Sequence, residues 1–356
     1  MNKRTKTALR RWCLYGWTFA KWTMAASAIG VVCGLIGTMF HFGVHEVTAF
    51  GGTPPGVLYL LPLAGFVIVS FYKLTETDGL GTDDIIDAVH EGKRLPILLL
   101  PAIFFGTVLT HLCGGSAGRE GAALQMGGTI GQCMGRTFRL DDRDLRVATL
   151  AGMAAFFSAL FGTPLAATVF AIMVISIGVI YHVALYPSLL AALVAYGVSV
   201  RLGVEPTRFT VAVPDQSVGM FVRVAALGVL CALVSILFCK LMHGAGHLMK
   251  RIKNPWLRVI CGGFAVIALT WIFGTDYNGA GMDVVTRAIE QETVAVPWAF
   301  LLKLVFTAVT LAAGFKGGEV VPSFFVGATF GCAVSPLLGL PVGFGAAVGL
   351  AAVFCG

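Results

Sequence analysis

Long apolar stretches recur along the whole chain, and they constrain its fold more than any other feature of the sequence. They occupy residues 24–44, 56–72, 95–113, 147–180, 182–200, 221–243, 256–273 and 296–315. Several reach the roughly 17–25 residues that a helix needs to cross a bilayer. A transmembrane barrel would show segments of about 10 residues with alternating polarity, and these segments do not alternate. The pattern predicts an all-α polytopic membrane protein that is surrounded by membrane lipid.

Charge is scarce, and the basic residues lie beside the apolar stretches. Charged residues make up 12% of the chain, about half the share in a typical soluble domain, and the net charge is +7. The basic residues that flank apolar stretches are Lys3, Arg4, Lys6, Arg10, Arg11, Arg136, Arg139, Arg143, Arg146, Lys250, Arg251 and Lys253. The positive-inside rule therefore places the N-terminus and the two basic loops in the cytoplasm. This distribution suits a membrane protein, and we expect no nucleic-acid partner.

The chain also carries an internal repeat at a spacing near 200 residues. IGVVCGLIGTMF at 29–40 aligns with LGVLCALVSILF at 227–238, and GLGTDDIIDAV at 79–89 aligns with GAGMDVVTRAI at 279–289. Two further matches, MGGTIG with VGATFG and GMAAFFS with GLAAVFC, follow in the same order at nearly the same spacing. Duplicated halves are a signature of transporter folds, whose substrate sites lie where the repeats meet.

The repeat predicts three segments of the chain. Residues 1–22, with three tryptophans, are expected to form a cytoplasmic interfacial helix. Residues 23–200 form the first membrane repeat and residues 220–356 the second. The second repeat is the shorter, so we expect the C-terminal helices of a complete repeat to be missing from this sequence.

Three glycine-rich turns, at residues 78–84, 114–122 and 315–323, interrupt the apolar sequence. Irregular backbone at membrane depth is tolerated only where protein buries it or where it lines a cavity. Broken helices present free N–H groups and a partial positive charge at their N-termini, so several such ends make an anion site without a lysine or arginine. Glu120 and Glu319 lie in two of these turns. A carboxylate there competes with the anion and withdraws when protonated, which would make it a gate that responds to pH.

Other interpretations of these residues remain open. Glu120 or Glu319 could belong to a solvated surface loop, and Asp83 and Asp84 suit the first turn of an ordinary helix. Ser116 with His111 would suit an intramembrane serine protease. Protease chemistry, however, does not explain why the chain carries an internal repeat. We therefore expect no enzyme activity. The sequence has no CxxC and no Cys/His spacing of the kind that binds metals, and it suggests no cofactor.

Two of the turns lie in motifs that are similar to those of a known family. GSAGREGAALQMGGTIG resembles the gating-glutamate motif of the CLC family of chloride channels and proton-coupled antiporters. GFKGGEVVPSFFVGATFG, at residues 314–331, resembles that family's second anion-site motif, and the likeness runs from about residue 24 to the end. It implies an inverted-repeat fold of broken and tilted helices that forms a homodimer with one pore in each subunit.

The resemblance also implies roles for individual residues. Glu120 would be the external gate, and Glu319 would share in proton transfer. The anion-binding residues would be Gly79, Leu80, Gly81, Thr82, Gly118, Arg119, Gly121, Gly317, Gly318, Val320 and Val321.

Three departures from the chloride-selective pattern bear on the halide. Leu80 stands where those members carry the pore serine, Ala122 replaces a proline, and Glu319 follows the double glycine. All three resemble the bacterial subgroup that exchanges fluoride for protons, although that subgroup usually has threonine at the position of Val321. The resemblance thus implies a fluoride/proton antiporter of the bacterial cytoplasmic membrane. The alternative is a chloride channel or a chloride/proton antiporter. Of these two, the channel is favoured, because Met173 or Val174 replaces the internal proton-transfer glutamate of chloride/proton exchangers.

Overall fold

The computed structural model describes residues 3–52, 56–175, 181–293 and 296–356, with residues 3–11, 13 and 14 described by their backbone alone. These residues form fourteen α-helices and two short 3-10 helices, and the described part of the chain contains no β-strand. Seven helical segments within it are long and apolar enough to cross a membrane. The predicted all-α polytopic fold is therefore confirmed.

The first eight helices are α1 (Lys3–Gly52), α2 (Leu61–Leu74), α3 (Thr82–Glu91), α4 (Leu99–Leu112), α5 (Glu120–Thr137), α6 (Asp142–Phe161), α7 (Pro164–Met173) and α8 (Leu185–Arg201). The remaining six are α9 (Val218–Met249), α10 (Pro255–Phe273), α11 (Met282–Glu290), α12 (Ala299–Ala313), α13 (Val320–Leu338) and α14 (Val342–Cys355).

Helix α1 contains residues 3–22 of the predicted interfacial helix as well as the start of the first predicted repeat. It runs without interruption from Lys3 to Gly52, so the backbone has no boundary at residue 22 between the expected interfacial helix and the first span. The side chains of the N-terminal basic residues, from Lys3 to Arg11, lie outside the described part of the structure. The interfacial position of residues 1–22 thus stays a prediction.

The helices recur at the spacing of the sequence repeat. Helices α3, α4, α5 and α6 begin at residues 82, 99, 120 and 142, and α11, α12, α13 and α14 begin at residues 282, 299, 320 and 342. Each start in the second set follows its counterpart by 200 residues. The three glycine-rich turns lead into α3, α5 and α13, and the segment that leads into α11 is the repeat counterpart of the first of them.

The chain divides into two compact units that interleave in sequence. The first contains Met1–Phe42, Gly79–Leu100 and Ala123–Thr207. Within it, α6 packs against α7 and α8. Asp141 caps α6 by accepting a hydrogen bond from the Asp144 amide at 2.8 Å, and Gly162 ends the helix with a left-handed φ of 69°.

The second unit contains Gly43–Asp78, Pro101–Ala122 and Arg208–Gly356. Its core lies where α13 packs against α9, α12 and α14. The buried residues of this core are Leu227, Cys231, Val234, Phe238, Leu304, Val326, Leu340 and Val353.

Glycines let the paired helices of each unit approach closely. In the first unit, a Cβ at Gly127 would lie 2.4 Å from the Gly152 carbonyl oxygen. In the second, a Cβ at Gly327 would lie 2.2 Å from the Gly349 carbonyl oxygen. Small residues at such crossings are typical of membrane helices, because packing and not the hydrophobic effect holds the helices together in lipid.

We expect Gly327→Ala to destabilise the protein by about 1–3 kcal/mol, because the added methyl group meets backbone that cannot yield. The matched control is Gly228→Ala on α9, where a Cβ meets no atom within 4 Å. It should leave stability unchanged or raise it by up to about 1 kcal/mol. Thermal unfolding of the purified proteins in detergent compares them, and equal unfolding temperatures for the two variants would contradict the account of the crossing.

Candidate anion site

The two glycine motifs of the second unit meet in a reciprocal pair of backbone hydrogen bonds. The Gly118 amide donates to the Gly318 carbonyl oxygen at 2.8 Å, and the Gly318 amide donates to the Gly118 carbonyl oxygen at 2.8 Å. This isolated antiparallel bridge joins residues that are 200 positions apart. Each glycine donates one hydrogen bond to the other and accepts one from it, which is the pattern that a local twofold axis produces.

Two threonines extend the same symmetry. The Ser116 amide donates to Thr310 Oγ1 at 3.1 Å, and the Lys316 amide donates to Thr110 Oγ1 at 3.2 Å. Each hydroxyl in turn donates 2.8 Å to a carbonyl oxygen of its own helix. Both turns are therefore fixed by a hydroxyl from the neighbouring helix, and backbone amides that no helix can satisfy acquire partners.

Glu120 lies where two helices begin, and its side chain is fully buried. Its Oε1 accepts a hydrogen bond from the Arg119 amide at 3.1 Å, just before the start of α5. Its Oε2 accepts from the Val321 amide at 3.2 Å, in the first turn of α13. The carboxylate thus occupies the kind of position that a free anion takes at helix N-termini, held by backbone amides and favourable helix dipoles.

Glycine is required on both sides of this carboxylate. A Cβ at Gly118 would lie 2.0 Å from Glu120 Oε2, and a Cβ at Gly318 would lie 2.9 Å from the same oxygen. At Gly317 a Cβ would lie 2.4 Å from the Ala117 Cβ. A side chain at Gly118 or Gly318 would therefore meet the carboxylate, and one at Gly317 would push the two turns apart.

Two cations have electrostatic interactions with Glu120. One is Arg119, its neighbour in the chain. The other is Lys303 on α12, a fully buried lysine that the sequence analysis did not single out. The sequence does carry a sign of this residue, because Lys303 is a lone lysine in the apolar helix Ala299–Ala313. An ionisable residue within a membrane segment suggests a functional site.

The hydrogen bonds of Ser116 and His111 do not form a protease dyad. The Ser116 hydroxyl is paired with the Thr307 hydroxyl at 3.0 Å. His111 Nδ1 lies 2.9 Å from the Thr107 carbonyl oxygen. A nucleophilic serine needs a base within hydrogen-bond reach, and the partner of the Ser116 hydroxyl is instead a threonine.

The turn at Gly79, Leu80, Gly81 and Thr82 belongs to the first unit and precedes α3. Gly79 has a left-handed φ of 82°, Leu80 is half-buried, and Thr82 Oγ1 accepts a hydrogen bond from the Gln125 amide group at 3.1 Å. Asp84 accepts from the Gly81 amide at 2.9 Å and from Lys93 at 2.6 Å. Burial raises the pKa of Asp84, but these hydrogen bonds outweigh burial and hold the pKa below its usual value. A part in anion binding stays a prediction for this turn.

The second predicted glutamate has different surroundings. Glu319 precedes α13 as its N-cap residue and is exposed, whereas Glu120 is buried. The structure thus joins the turn that contains Gly118, Arg119, Glu120 and Gly121 to the turn that contains Gly317 and Gly318, with Val320 and Val321 following at the start of α13. The Glu120 carboxylate lies beside Gly118, Arg119, Gly318 and Val321.

We expect Thr310→Val to lower the free energy of unfolding by about 1–3 kcal/mol, because the Ser116 amide loses its buried acceptor. Thr110→Val should act similarly through the Lys316 amide. The control is Thr329→Val, since the Thr329 hydroxyl bonds only to carbonyl oxygens of its own helix. Denaturant unfolding in detergent measures all three variants, and a loss in Thr310→Val no larger than that in Thr329→Val would contradict the role of the pair.

Comparison with known proteins agrees with this geometry. The family described as "Voltage gated chloride channel" matches residues 60–356. The "Chloride/fluoride channel protein" of Pseudomonas syringae pv. tomato is 37% identical over 349 residues, which cover 95% of this chain and 76% of that protein.

Solved structures share the architecture. A crystal structure of a CLC-type fluoride/proton antiporter matches with a TM-score of 0.90 and 33% identity, over 95% of this chain and 87% of that chain. A slow cyanobacterial Cl−/H+ antiporter matches with a TM-score of 0.76 and 19% identity, over 93% of this chain and 84% of that chain, and this likeness concerns the fold alone. The family match over residues 60–356 and the 37% identical relative show that the chain belongs to the CLC family of voltage-gated chloride channels and anion transporters.

Proposed function

We propose that this protein exchanges fluoride for protons across the membrane, with Glu120 as the gate and proton carrier. The observation that carries the proposal is the Glu120 carboxylate itself, which is buried and bound by backbone amides at the starts of α5 and α13. Backbone amides that bind a carboxylate in this way can also bind a halide anion. A similar protein and a similar solved structure are named for fluoride, which supports the choice of halide.

The mechanism follows from competition for the same amides. An ionised Glu120 fills the site and excludes the anion. Protonation removes its negative charge and weakens both hydrogen bonds to the oxygens, so the side chain leaves and the amides of Arg119 and Val321 become available to a halide. The departing side chain carries a proton, and its return after deprotonation expels the anion. One group thereby couples the two movements.

The remaining predicted residues have supporting roles in this proposal. Gly118, Gly121, Gly317 and Gly318 allow the close approach of the anion, and Val320 and Val321 supply the α13 amides. Gly79, Leu80, Gly81 and Thr82 are assigned to halide binding as well, and Leu80 stands where chloride-selective members carry a serine. Glu319 assists proton transfer from its exposed position at the start of α13.

A chloride channel or chloride/proton antiporter is the second candidate. A passive chloride channel is favoured by Met173 and Val174, which stand at the end of α7 where the internal proton-transfer glutamate of chloride/proton exchangers is expected. Val321 also departs from the threonine that is usual in the fluoride subgroup.

The proposal includes the setting of the protein. Residues 23–200 and 220–356 act as two inverted repeats, and two copies of the chain form a homodimer with separate pores. The protein lies in the lipid of a bacterial cytoplasmic membrane with its N-terminus and its basic loops in the cytoplasm.

We expect Glu120→Gln and Glu120→Ala to abolish the proton influx that accompanies fluoride efflux from proteoliposomes, because neither side chain can carry a proton. Any remaining flux should be uncoupled. A fluoride electrode and an external pH electrode record both ions, and the exposed Glu205, changed to Gln, is the control that should keep coupled exchange. Unchanged coupling in Glu120→Gln would exclude this residue as the gate.

We expect Leu80→Ser to raise chloride flux relative to fluoride flux several-fold, because it restores the serine that chloride-selective members carry at this position. Leu80→Met keeps an apolar side chain of similar size and should retain the parent preference. Paired efflux assays with chloride and fluoride gradients give the ratio for each variant. An identical ratio in Leu80→Ser and Leu80→Met would remove this turn from the explanation of selectivity.

A further inference from the structure

A buried lysine lies on α12 one helical turn before Thr307, the residue whose hydroxyl is paired with that of Ser116 in the first glycine motif. Lys303 is 0% exposed, on the face of α12 that points into the second unit. No salt bridge to it exists among the residues that the structure describes. Taking an ammonium group out of water costs several kcal/mol, so a buried charge of this kind needs compensation.

Carbonyl oxygens provide part of that compensation. The Lys303 ammonium donates to the Gly279 carbonyl at 2.7 Å and to the Tyr277 carbonyl at 3.1 Å. It also lies 5.2 Å from the centre of the Phe325 ring. These contacts satisfy two of its three N–H groups and fix the turn before α11, but they leave the positive charge without an opposite charge.

The contacts of Lys303 lead back to Glu120. Phe325 is one helical turn after Val321 on α13, and the Val321 amide holds the Glu120 carboxylate. Glu120 is accordingly the acid with which Lys303 interacts electrostatically.

The internal repeat gives no reason for a lysine here. The residue 200 positions earlier is Ile103, which is equally buried and apolar. The second half of the chain therefore carries a charge that the fold does not require.

We propose that Lys303, in its protonated form, supplies a positive charge to the anion site, which stabilises the Glu120 carboxylate and then the halide that replaces it. Lys303 is a positioning residue that acts through its electrostatic field, and its bonds to Tyr277 and Gly279 hold it in place. The inference rests on the proposed function, because it requires that a halide occupies the position that Glu120 vacates.

Halide binding by the full chain in detergent tests the inference without transport. All variants carry Glu120→Gln, so that no carboxylate competes for the site. Sodium fluoride is titrated with 19F NMR detection and sodium chloride with 35Cl NMR detection. Lys303→Gln removes the charge but keeps an amide that can donate to the two carbonyls, whereas Lys303→Met removes the charge and both hydrogen bonds. Lys73→Gln, on a lysine that lies over the Trp256 ring, is the control for loss of a lysine charge elsewhere in the same unit.

We expect Lys303→Gln and Lys303→Met to weaken halide binding about tenfold, as loss of one nearby charge at an intermediate dielectric constant implies. Lys73→Gln should bind as the parent does. Parent-like affinity in Lys303→Gln would overturn the inference, even if Lys303→Met lost binding, because hydrogen bonding alone would then explain the lysine. If Lys303→Gln does not yield a monodisperse protein, Lys303→Arg, which keeps the charge, is compared with Lys303→Met. Parent-like affinity in Lys303→Met, or an equal loss in both variants, overturns the inference, whereas a tenfold loss in Lys303→Met with parent-like binding in Lys303→Arg supports it. A parent that binds neither halide would instead overturn the proposed function.

Discussion

The site depends on one reciprocal contact, the two backbone hydrogen bonds between Gly118 and Gly318. They bring together two turns that are 200 residues apart and set the first amides of α5 and α13 around one carboxylate. Both turns take part in holding the carboxylate, because one oxygen accepts from the Arg119 amide and the other from the Val321 amide. Thr110 and Thr310 secure the turns with the same symmetry. The close approach explains why both motifs are so rich in glycine.

This arrangement also explains how a chain with few charges can bind an anion. Backbone amides and helix dipoles present partial positive charge without the full desolvation cost of a cation. A site made of partial charges can release its ligand, which a carrier must do in every cycle. Lys303 in its protonated form adds a positive charge, and the Tyr277 and Gly279 carbonyl oxygens hold its ammonium group in place.

Much of the site could be predicted from the sequence, because its motifs combine features that are rare in membrane helices. Glu120 between glycines, together with the repeat spacing, predicts that the two glycine-rich turns form one anion site. Lys303 was missed because a single lysine in an apolar run resembles the end of a span. The threonine pair was missed because threonine is common in helices and its partner lies on another element. The continuity of α1 past residue 22 was missed because tryptophans and basic residues suggested an interfacial boundary there.

The central claim is that the Glu120 carboxylate occupies a halide site. Anomalous diffraction from crystals of Glu120→Gln grown with bromide tests it most directly. The account predicts a bromide peak within hydrogen-bond distance of the Arg119 and Val321 amides, and no such peak in the unsubstituted protein at high pH. A bromide bound elsewhere in Glu120→Gln, with those two amides free of any anion, would contradict the claim.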